Sequence, residues 1–385
     1  MHFIIKLSKL CNLRCNYCYE YAELANKERM PLEKVEFFFR GLAEYINFQP
    51  NPEEFKPHFI LHGGEPLLLP PDYLRTLVQI QEKYLTSEGI EYSNSVQSNL
   101  VNLPQRTIDL LKELNLHLGI SFDVFGNQRV DIKGQDSQEK VLPNIQKLID
   151  HEIPFGAITV LHRQNYQNAL QTYDFYNQLG IDYRILPIFS LDSESDERVK
   201  NLALSPQEII EVYQQVAKKQ FAASGSIKVY PLYDYFTAAS SYLSKQKISE
   251  YNPAQKEWAL IINVNGDIYN DGEAYLPEGL MGNIFRQSLT EIFASPEYQQ
   301  VCHIRMQRTL TCRKCPFDLT CNQLPIAEAC PSERIYSETG ELICAIAKPT
   351  IEFMIREIEA VDAAKLLLKS YTHLSNPMTA KVTLV

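Results

Sequence analysis

No run of apolar residues approaches the roughly 18–20 that a membrane-spanning helix requires. The first apolar stretch, at residues 3–5, is broken at once by Lys6 and Lys9. No export signal opens the chain. Positive charge is also short: 37 Lys+Arg against 47 Asp+Glu leave a net charge of −10 without any basic cluster, a poor match to nucleic acid or an anionic membrane. Glycine and proline are modest, at 15 and 21 of 385 residues, and there is no tandem repeat or low-complexity tract, which excludes fibrous and disordered classes. A soluble, cytoplasmic protein with neither nucleic-acid nor membrane partners is expected. With 45% hydrophobic residues there is ample core for two or three units, or one large α/β unit with an appendage.

Cysteine is missing from everything between Cys18 and Cys302. The nine cysteines instead form two dense groups, Cys11, Cys15 and Cys18 at one end and Cys302, Cys312, Cys315, Cys321, Cys330 and Cys344 at the other. An odd count argues against a fully paired disulfide framework, and clustering of this kind is what metal ligation produces.

Between the two groups, short β-rich runs alternate with amphipathic stretches. Strands are predicted at 3–7, 59–62, 92–97, 117–122, 155–160 and 183–188, and helices at about 31–47, 71–86, 104–114, 137–151 and 165–179. Val141, Leu142, Ile145, Leu148 and Ile149 follow the spacing of a helix that covers a sheet. Six strand–helix repeats imply right-handed βα units and a parallel sheet, and six rather than eight favour an open, curved sheet. A charged stretch after Ser190 reads as a loop, a helix resumes over 205–220, and the Tyr/Phe-rich segment 230–242 reads as a packed helix. Asn265-Gly266 signals a hairpin between 261–264 and 267–269, and Pro349 opens a last helix reaching about 370. The expected domains are 1–195, a connecting segment 196–254, a small domain 255–348, and a helix with tail over 349–385.

The first cysteines read Cys11-Asn-Leu-Arg-Cys15-Asn-Tyr-Cys18, in a loop at the carboxyl end of the first strand, the edge of α/β sheets where active sites collect. Three thiolates on one loop can hold three irons of a [4Fe–4S] cluster and leave the fourth open. This C-x3-C-x2-C loop resembles the signature of the radical S-adenosylmethionine (SAM) superfamily. The resemblance implies a partial (β/α)6 barrel in which SAM chelates the open iron and is cleaved to a 5′-deoxyadenosyl radical, the cofactors carrying the hard chemistry.

Further positions match one by one. His62-Gly63-Gly64-Glu65-Pro66 after the second strand looks like the GGEP motif that meets the methionine amino group, with Glu65 supplying negative charge and Gly63 and Gly64 close backbone approach. The resemblance places Tyr17 against the adenine, Ser98 and Asn99 at a T-N-G-like turn, and Ser121 and Arg129 at ribose and carboxylate. Asp123 is implied as a substrate or proton-handling residue, and Val160 and Leu186 as walls for the adenine. Val124 departs from the family, which often has glycine there.

Cys312-Arg-Lys-Cys315-Pro-Phe-Asp-Leu-Thr-Cys321, followed by Cys344, would fill the coordination of an Fe–S cluster or of one zinc ion, and spacing alone leaves the two open. It resembles the SPASM extension of peptide-modifying radical SAM enzymes, which implies iron. The usual cysteine after the G-x-x-Y strand is missing where Asn270-Asp271-Gly272 stands, and Pro325 occupies another cysteine position. Six C-terminal thiols cannot supply eight ligands, so at least one auxiliary [4Fe–4S] cluster on Cys312, Cys315, Cys321 and Cys344 is expected, with Cys302 and Cys330 unassigned.

The segments 6–15, 17–21 and 122–129 look like the cyclophane-forming maturases of glycine-rich precursor peptides. That likeness implies removal of a Cβ hydrogen from a substrate residue and closure of a C–C bond to an aromatic ring two positions earlier. Asp123 or Asp271 would be the base, and a reduced flavodoxin or ferredoxin-type protein the electron donor. With no peptide-recognition domain expected ahead of the first strand, the precursor peptide is expected to use the barrel, residues 191–250, the C-terminal domain or a partner. Other outcomes on this scaffold are thioether formation, epimerisation or oxidation of a sulfatase serine or cysteine, or a carbohydrate or cofactor maturase. A protein of another class, a metal-bound scaffold that only recognises peptides, would cleave no SAM.

Overall fold

The structure is a computed structural model that describes residues 1–189, 197–223, 227–247, 251–253, 259–270 and 275–360. In chain order, β1 (His2–Ser8), α1 (Leu32–Asn47), β2 (His58–Gly63), α2 (Pro71–Tyr84), β3 (Ser93–Ser98), α3 (Gln105–Glu113), β4 (His117–Ser121), α4 (Gln138–Asp150), β5 (Phe155–Leu161), α5 (Ala169–Leu179) and β6 (Tyr183–Pro187) make the expected βα repeats. Then come α6 (Glu197–Leu202), α7 (Pro206–Ala222), β7 (Val229–Tyr230) and α8 (Leu232–Leu243). The C-terminal part contains β8 (Ala259–Ile262), β9 (Asp267–Asn270), β10 (Leu280–Asn283), α9 (Leu289–Ala294), α10 (Pro296–Thr309), α11 (Leu324–Ala327), β11 (Ile335–Tyr336), β12 (Leu342–Ile343) and α12 (Ala347–Ala360). Among the described residues, no helix is long and apolar enough to cross a membrane.

The chain divides into two compact units. The first comprises residues 1–121, 127–155 and 252–305. Its strands run in the order β10-β9-β8-β1-β2-β3-β4, with β8, β1, β2, β3 and β4 parallel and β9 and β10 antiparallel. β1 is buried over nearly its whole length, as a parallel strand covered on both faces should be. Phe3 packs edge-on against Phe38 of α1 and stacks on Phe59 of β2, at 5.4 and 5.6 Å between centroids. The stripe on α4 is narrower than its spacing suggests: Val141, Ile145 and Leu148 are buried, but Leu142 and Ile149 are each 39% exposed. Periodicity marks a face, and the width of that face depends on what packs against it.

The second unit comprises residues 122–126, 156–251 and 306–385. It holds the parallel strands β5, β6 and β7 and a helical layer of α5, α7, α8 and α12. Ser205 starts α7 with a capping box, its hydroxyl accepting from the Glu208 amide while the Glu208 carboxylate accepts from the Ser205 amide. Tyr176 stacks on Tyr183 at 4.5 Å and donates its hydroxyl to the Phe122 carbonyl at 2.8 Å.

Candidate functional site

In the first unit, backbone hydrogen bonds hold the loop after β1, and side chains such as Arg14 and Asn16 add to them. The Cys11 amide donates to the Leu24 carbonyl (3.0 Å), the Arg14 amide to Val130 (2.7 Å), the Asn16 amide to Gln128 (2.9 Å) and the Cys18 amide to Cys15 (3.0 Å). Cys11 feels the charge of Cys15, and Cys18 that of both Cys15 and Cys11. Burial pushes the Cys11 thiol up to about 11 and the Cys18 thiol to about 12.

The end of β2 presses onto this loop. The Gly64 amide donates to the Ser8 carbonyl and the Glu65 amide to the Leu10 carbonyl, both at 2.8 Å. A Cβ on Gly63, whose φ is +131°, would lie 2.1 Å from the Ser8 carbonyl oxygen, and one on Gly64 2.3 Å from that of Leu10. The glycines therefore set the approach of β2 to the chain leading into Cys11.

Glu65 is buried and accepts three hydrogen bonds: Oε1 from the Leu67 amide (3.1 Å) and the Ser98 hydroxyl (2.9 Å), Oε2 from the Asn99 amide (2.7 Å). Burial pushes its carboxyl up, and these donors with the charge of Arg129 pull the other way. A carboxylate has about four acceptor positions, so Oε2 can take a further donor such as an ammonium. Asn99 Nδ2 donates to Asn12 Oδ1 at 2.7 Å and lies 3.7 Å from Cys11 Sγ. Arg129 is buried, and its Nη1 donates to the Tyr17 hydroxyl at 2.9 Å. Ser121 accepts from Gln97 Nε2 at 2.8 Å. Cys11, Cys15, Cys18, Tyr17, Gly63, Gly64, Glu65, Ser98, Asn99, Ser121 and Arg129 thus all lie in the first unit, at or just beyond the carboxyl ends of β1–β4.

In the second unit, Asp123 Oδ1 accepts from the Val160 amide (2.7 Å) and the Thr159 hydroxyl (3.3 Å), so this carboxylate also fastens the chain to β5. Val160 and Leu186 are register partners, half-buried near the carboxyl ends of β5 and β6. Asp271, the other candidate base, lies outside the described residues.

Cys312, Cys315, Cys321 and Cys344 line one cavity of about 440 Å³. Local turns gather the first three: the Cys315 amide donates to the Cys312 carbonyl (2.9 Å) and the Cys321 amide to Phe317 (2.9 Å). The β11–β12 hairpin delivers the fourth, held by Thr311 Oγ1 to the Leu342 carbonyl (2.8 Å) and by Lys314 to Glu341 (3.0 Å). Burial pushes Cys312 to about 12 and Cys344 to about 11, and the four thiols act on each other electrostatically. Four thiols lining one cavity are a donor set that would complete the ligation of an Fe–S cluster.

Sequence reasoning missed a second buried group in the first unit. Lys6 Nζ lies 2.5 Å from Glu20 Oε1 and donates to the Tyr275 hydroxyl at 3.2 Å. Tyr275 in turn donates to Glu20 at 2.6 Å. Burial and the Lys6 charge push His62 beside them down to about 4, so it is neutral at physiological pH. The one available signal was a lysine inside the otherwise apolar run of β1.

Comparison with known proteins matches the radical SAM superfamily over residues 5–176 and the SPASM iron–sulfur cluster-binding domain over residues 256–316. The chain carries a radical SAM domain and, after it, a SPASM domain. This domain pair implies SAM, a radical SAM [4Fe–4S] cluster and auxiliary clusters as cofactors, as expected. Relatives include a serine-type anaerobic sulfatase-maturating enzyme of Bacteroides thetaiotaomicron, 25% identical over 86% of this chain and 82% of its own. A cysteine-type anaerobic sulfatase-maturating enzyme of Clostridium novyi is 24% identical over 80% and 83%. In fold, the chain is similar to native anSMEcpe with bound AdoMet and Cp18Cys peptide, at a TM-score of 0.74 and 16% identity, covering 96% and 99% of the two chains. It is also similar to Streptococcus suis SuiB bound to S-adenosylmethionine, at a TM-score of 0.57 and 16% identity over 89% and 77%. The α/β fold with a parallel sheet and the radical SAM enzyme class therefore stand as expected.

The raised thiol values make a testable statement about this radical SAM/SPASM chain without its metals. A thiol moved from 9.0 to about 11, as in Cys11 and Cys344, carries about a hundredfold less thiolate at pH 8. Folded metal-free protein should therefore alkylate at these cysteines at least tenfold more slowly than urea-unfolded protein, by mass spectrometry. Because burial raises these thiols in the folded chain, their contribution to stability is complete below pH 9 and is lost as pH rises toward 11 to 12.

Proposed function

We propose that this radical SAM/SPASM protein is a peptide maturase that oxidises a Cβ position of a ribosomally made precursor peptide and closes a C–C cyclophane. The observation that carries a net oxidation is the gathering of three thiols on the first loop and of four more, out of the six near the C-terminal end, around one cavity. Three thiols leave one iron position for SAM, whereas four complete a second cluster, which can then exchange only electrons. Bound SAM and its cluster would supply a primary carbon radical strong enough to take a hydrogen atom from an unactivated Cβ.

In the first unit, Cys11, Cys15 and Cys18 would hold the cluster, Glu65 would take the methionine ammonium, and Ser98, Asn99, Ser121, Arg129 and Tyr17 would position the remainder of the cofactor. The balance on the substrate is simple. One hydrogen atom leaves Cβ, the carbon radical adds to the ring two positions earlier, and one electron and one proton leave to restore aromaticity. The electron would go to the group held by Cys312, Cys315, Cys321 and Cys344, and the proton to a carboxylate, for which Asp123 is the described candidate.

The cyclophane outcome is supported by the likeness of segments 6–15, 17–21 and 122–129 to maturases of glycine-rich peptides. A second reading, oxidation of a sulfatase serine or cysteine, is supported by the sulfatase-maturating relatives. It shares the Cβ hydrogen abstraction and differs in the fate of the radical, since loss of a proton and an electron at the hydroxyl or thiol leaves a carbonyl-type product. Tandem mass spectrometry after co-expression with a glycine-rich, aromatic-containing precursor separates them. A product two hydrogens lighter, with no fragmentation between the linked residues and no reaction with hydroxylamine, is the cyclophane. A product captured by hydroxylamine is the sulfatase-type outcome.

Asp123→Asn keeps an oxygen to accept the Val160 amide, so the clasp to β5 survives. Loss of a general base costs roughly 10²–10⁴-fold. Cross-linked product should fall by about that factor while 5′-deoxyadenosine formation continues; equal rates of product would remove Asp123 from the role.

A further inference from the structure

We propose that Lys6, Glu20 and Tyr275 form a charge-compensated cage beside the three-cysteine loop that sets how readily the cluster on that loop accepts an electron. The proposal rests on the assignment of that cluster to Cys11, Cys15 and Cys18.

Lys6 on β1 is buried, which lowers its pKa against the opposing pull of Glu20, and Glu20, two residues beyond the third cysteine, is a buried carboxyl that Lys6 and its hydrogen bonds hold below the ordinary range against burial. Their charges meet at 2.5 Å, and both act on Cys18. Aromatic rings complete the enclosure: Lys6 Nζ lies 4.8 Å from the Tyr19 ring centroid and 4.4 Å from that of Tyr275, within reach of a cation–π attraction. Tyr275 donates its hydroxyl to the same carboxylate oxygen that Lys6 contacts. It does so from a backbone φ of +75°, a conformation that a tyrosine adopts only where its surroundings compel it. His62 is neutral, and Lys9 pairs with Glu23 at 2.9 Å on the exposed side.

Cluster potentials follow net charge, hydrogen bonding and solvent exposure. A buried charge in a low-dielectric setting acts strongly on an added electron. With the pair intact the two charges nearly cancel at the cluster, and removal of one exposes the other. Tyr275 lies within the SPASM-matched residues, so this domain contributes to the surroundings of the first cluster without ligating it.

The test is a mediated redox titration of the anaerobically reconstituted full chain, monitored by electron paramagnetic resonance on the signal that changes when SAM is added. Lys6→Met should lower the midpoint potential and Glu20→Gln should raise it, with the double variant returning close to the unmodified protein. Tyr275→Phe keeps the ring and removes one donor to Glu20, so it should give a smaller downward shift. It also serves if Lys6→Met does not fold. Shifts of Lys6→Met and Glu20→Gln in the same direction, or no shift in either, would overturn the cage. A SAM-responsive signal missing from the unmodified protein would instead overturn the cluster assignment.

Discussion

Replacing Cys11, Cys15 and Cys18 together with alanine should abolish reductive cleavage of SAM while leaving iron bound at the C-terminal thiols. The loop is held by backbone hydrogen bonds from Cys11, Arg14, Asn16 and Cys18, which alanine side chains preserve, so the variant should still fold. The other four thiols belong to the second unit, with their own turns and hairpin. Iron and sulfide should drop by about one cubane, roughly four of each, and 5′-deoxyadenosine should fall to background. Unchanged turnover in this variant, or zinc in place of iron in the unmodified protein, would sink the radical SAM assignment of the loop.

Glu65→Ala should be the most damaging single substitution outside the cysteines. Three donors converge on its carboxylate: the Leu67 and Asn99 amides and the Ser98 hydroxyl. Hydrogen bonds to a charged group contribute about 1.5–3 kcal/mol each, and donors left buried without a partner cost about 1–3 kcal/mol each. Because these terms overlap, the expected loss is about 3–5 kcal/mol, measurable by urea unfolding of the metal-free protein. SAM affinity should fall as well, because the same carboxylate orders the Ser98-Asn99 turn and Asn99 reaches Asn12 in the cysteine loop. Glu65→Gln retains two of the three acceptances in one amide orientation and should be milder in stability. An effect of Glu65→Ala below about 1 kcal/mol, the usual range of an exposed substitution, would show that the convergence of donors carries little energy.

Much of the fold is legible because each element states itself locally. The six strands and the helices between them lie within a few residues of where periodicity, turn residues and caps put them, Ser205 before α7 and Asn265-Gly266 at the β8–β9 hairpin among them. The three-cysteine loop is legible for another reason: the chemistry needs its thiols close in sequence, so spacing and function coincide. Leu142 and Ile149 show where local reading stops, since nothing in the α4 repeat says how wide a surface α4 covers. Gly63 and Gly64 show it too, because the motif names them but only coordinates reveal that the backbone of Ser8–Leu10, rather than a ligand alone, forbids a side chain there.

By itself, then, the amino-acid order determined a βα-repeat protein with three thiols on its first loop and six near its end, because these are properties of contiguous residues. The tertiary structure decided what depends on distant segments meeting. β8 pairs in parallel with β1, His2 opposite Ala259, although no periodicity can say which sheet edge a remote hairpin will join. The same meeting brings Tyr275 to Glu20 and Lys6. A lysine inside an apolar strand cannot announce its partners, because a buried charge is tolerated only when opposite charge and hydrogen bonds arrive from elsewhere in the chain.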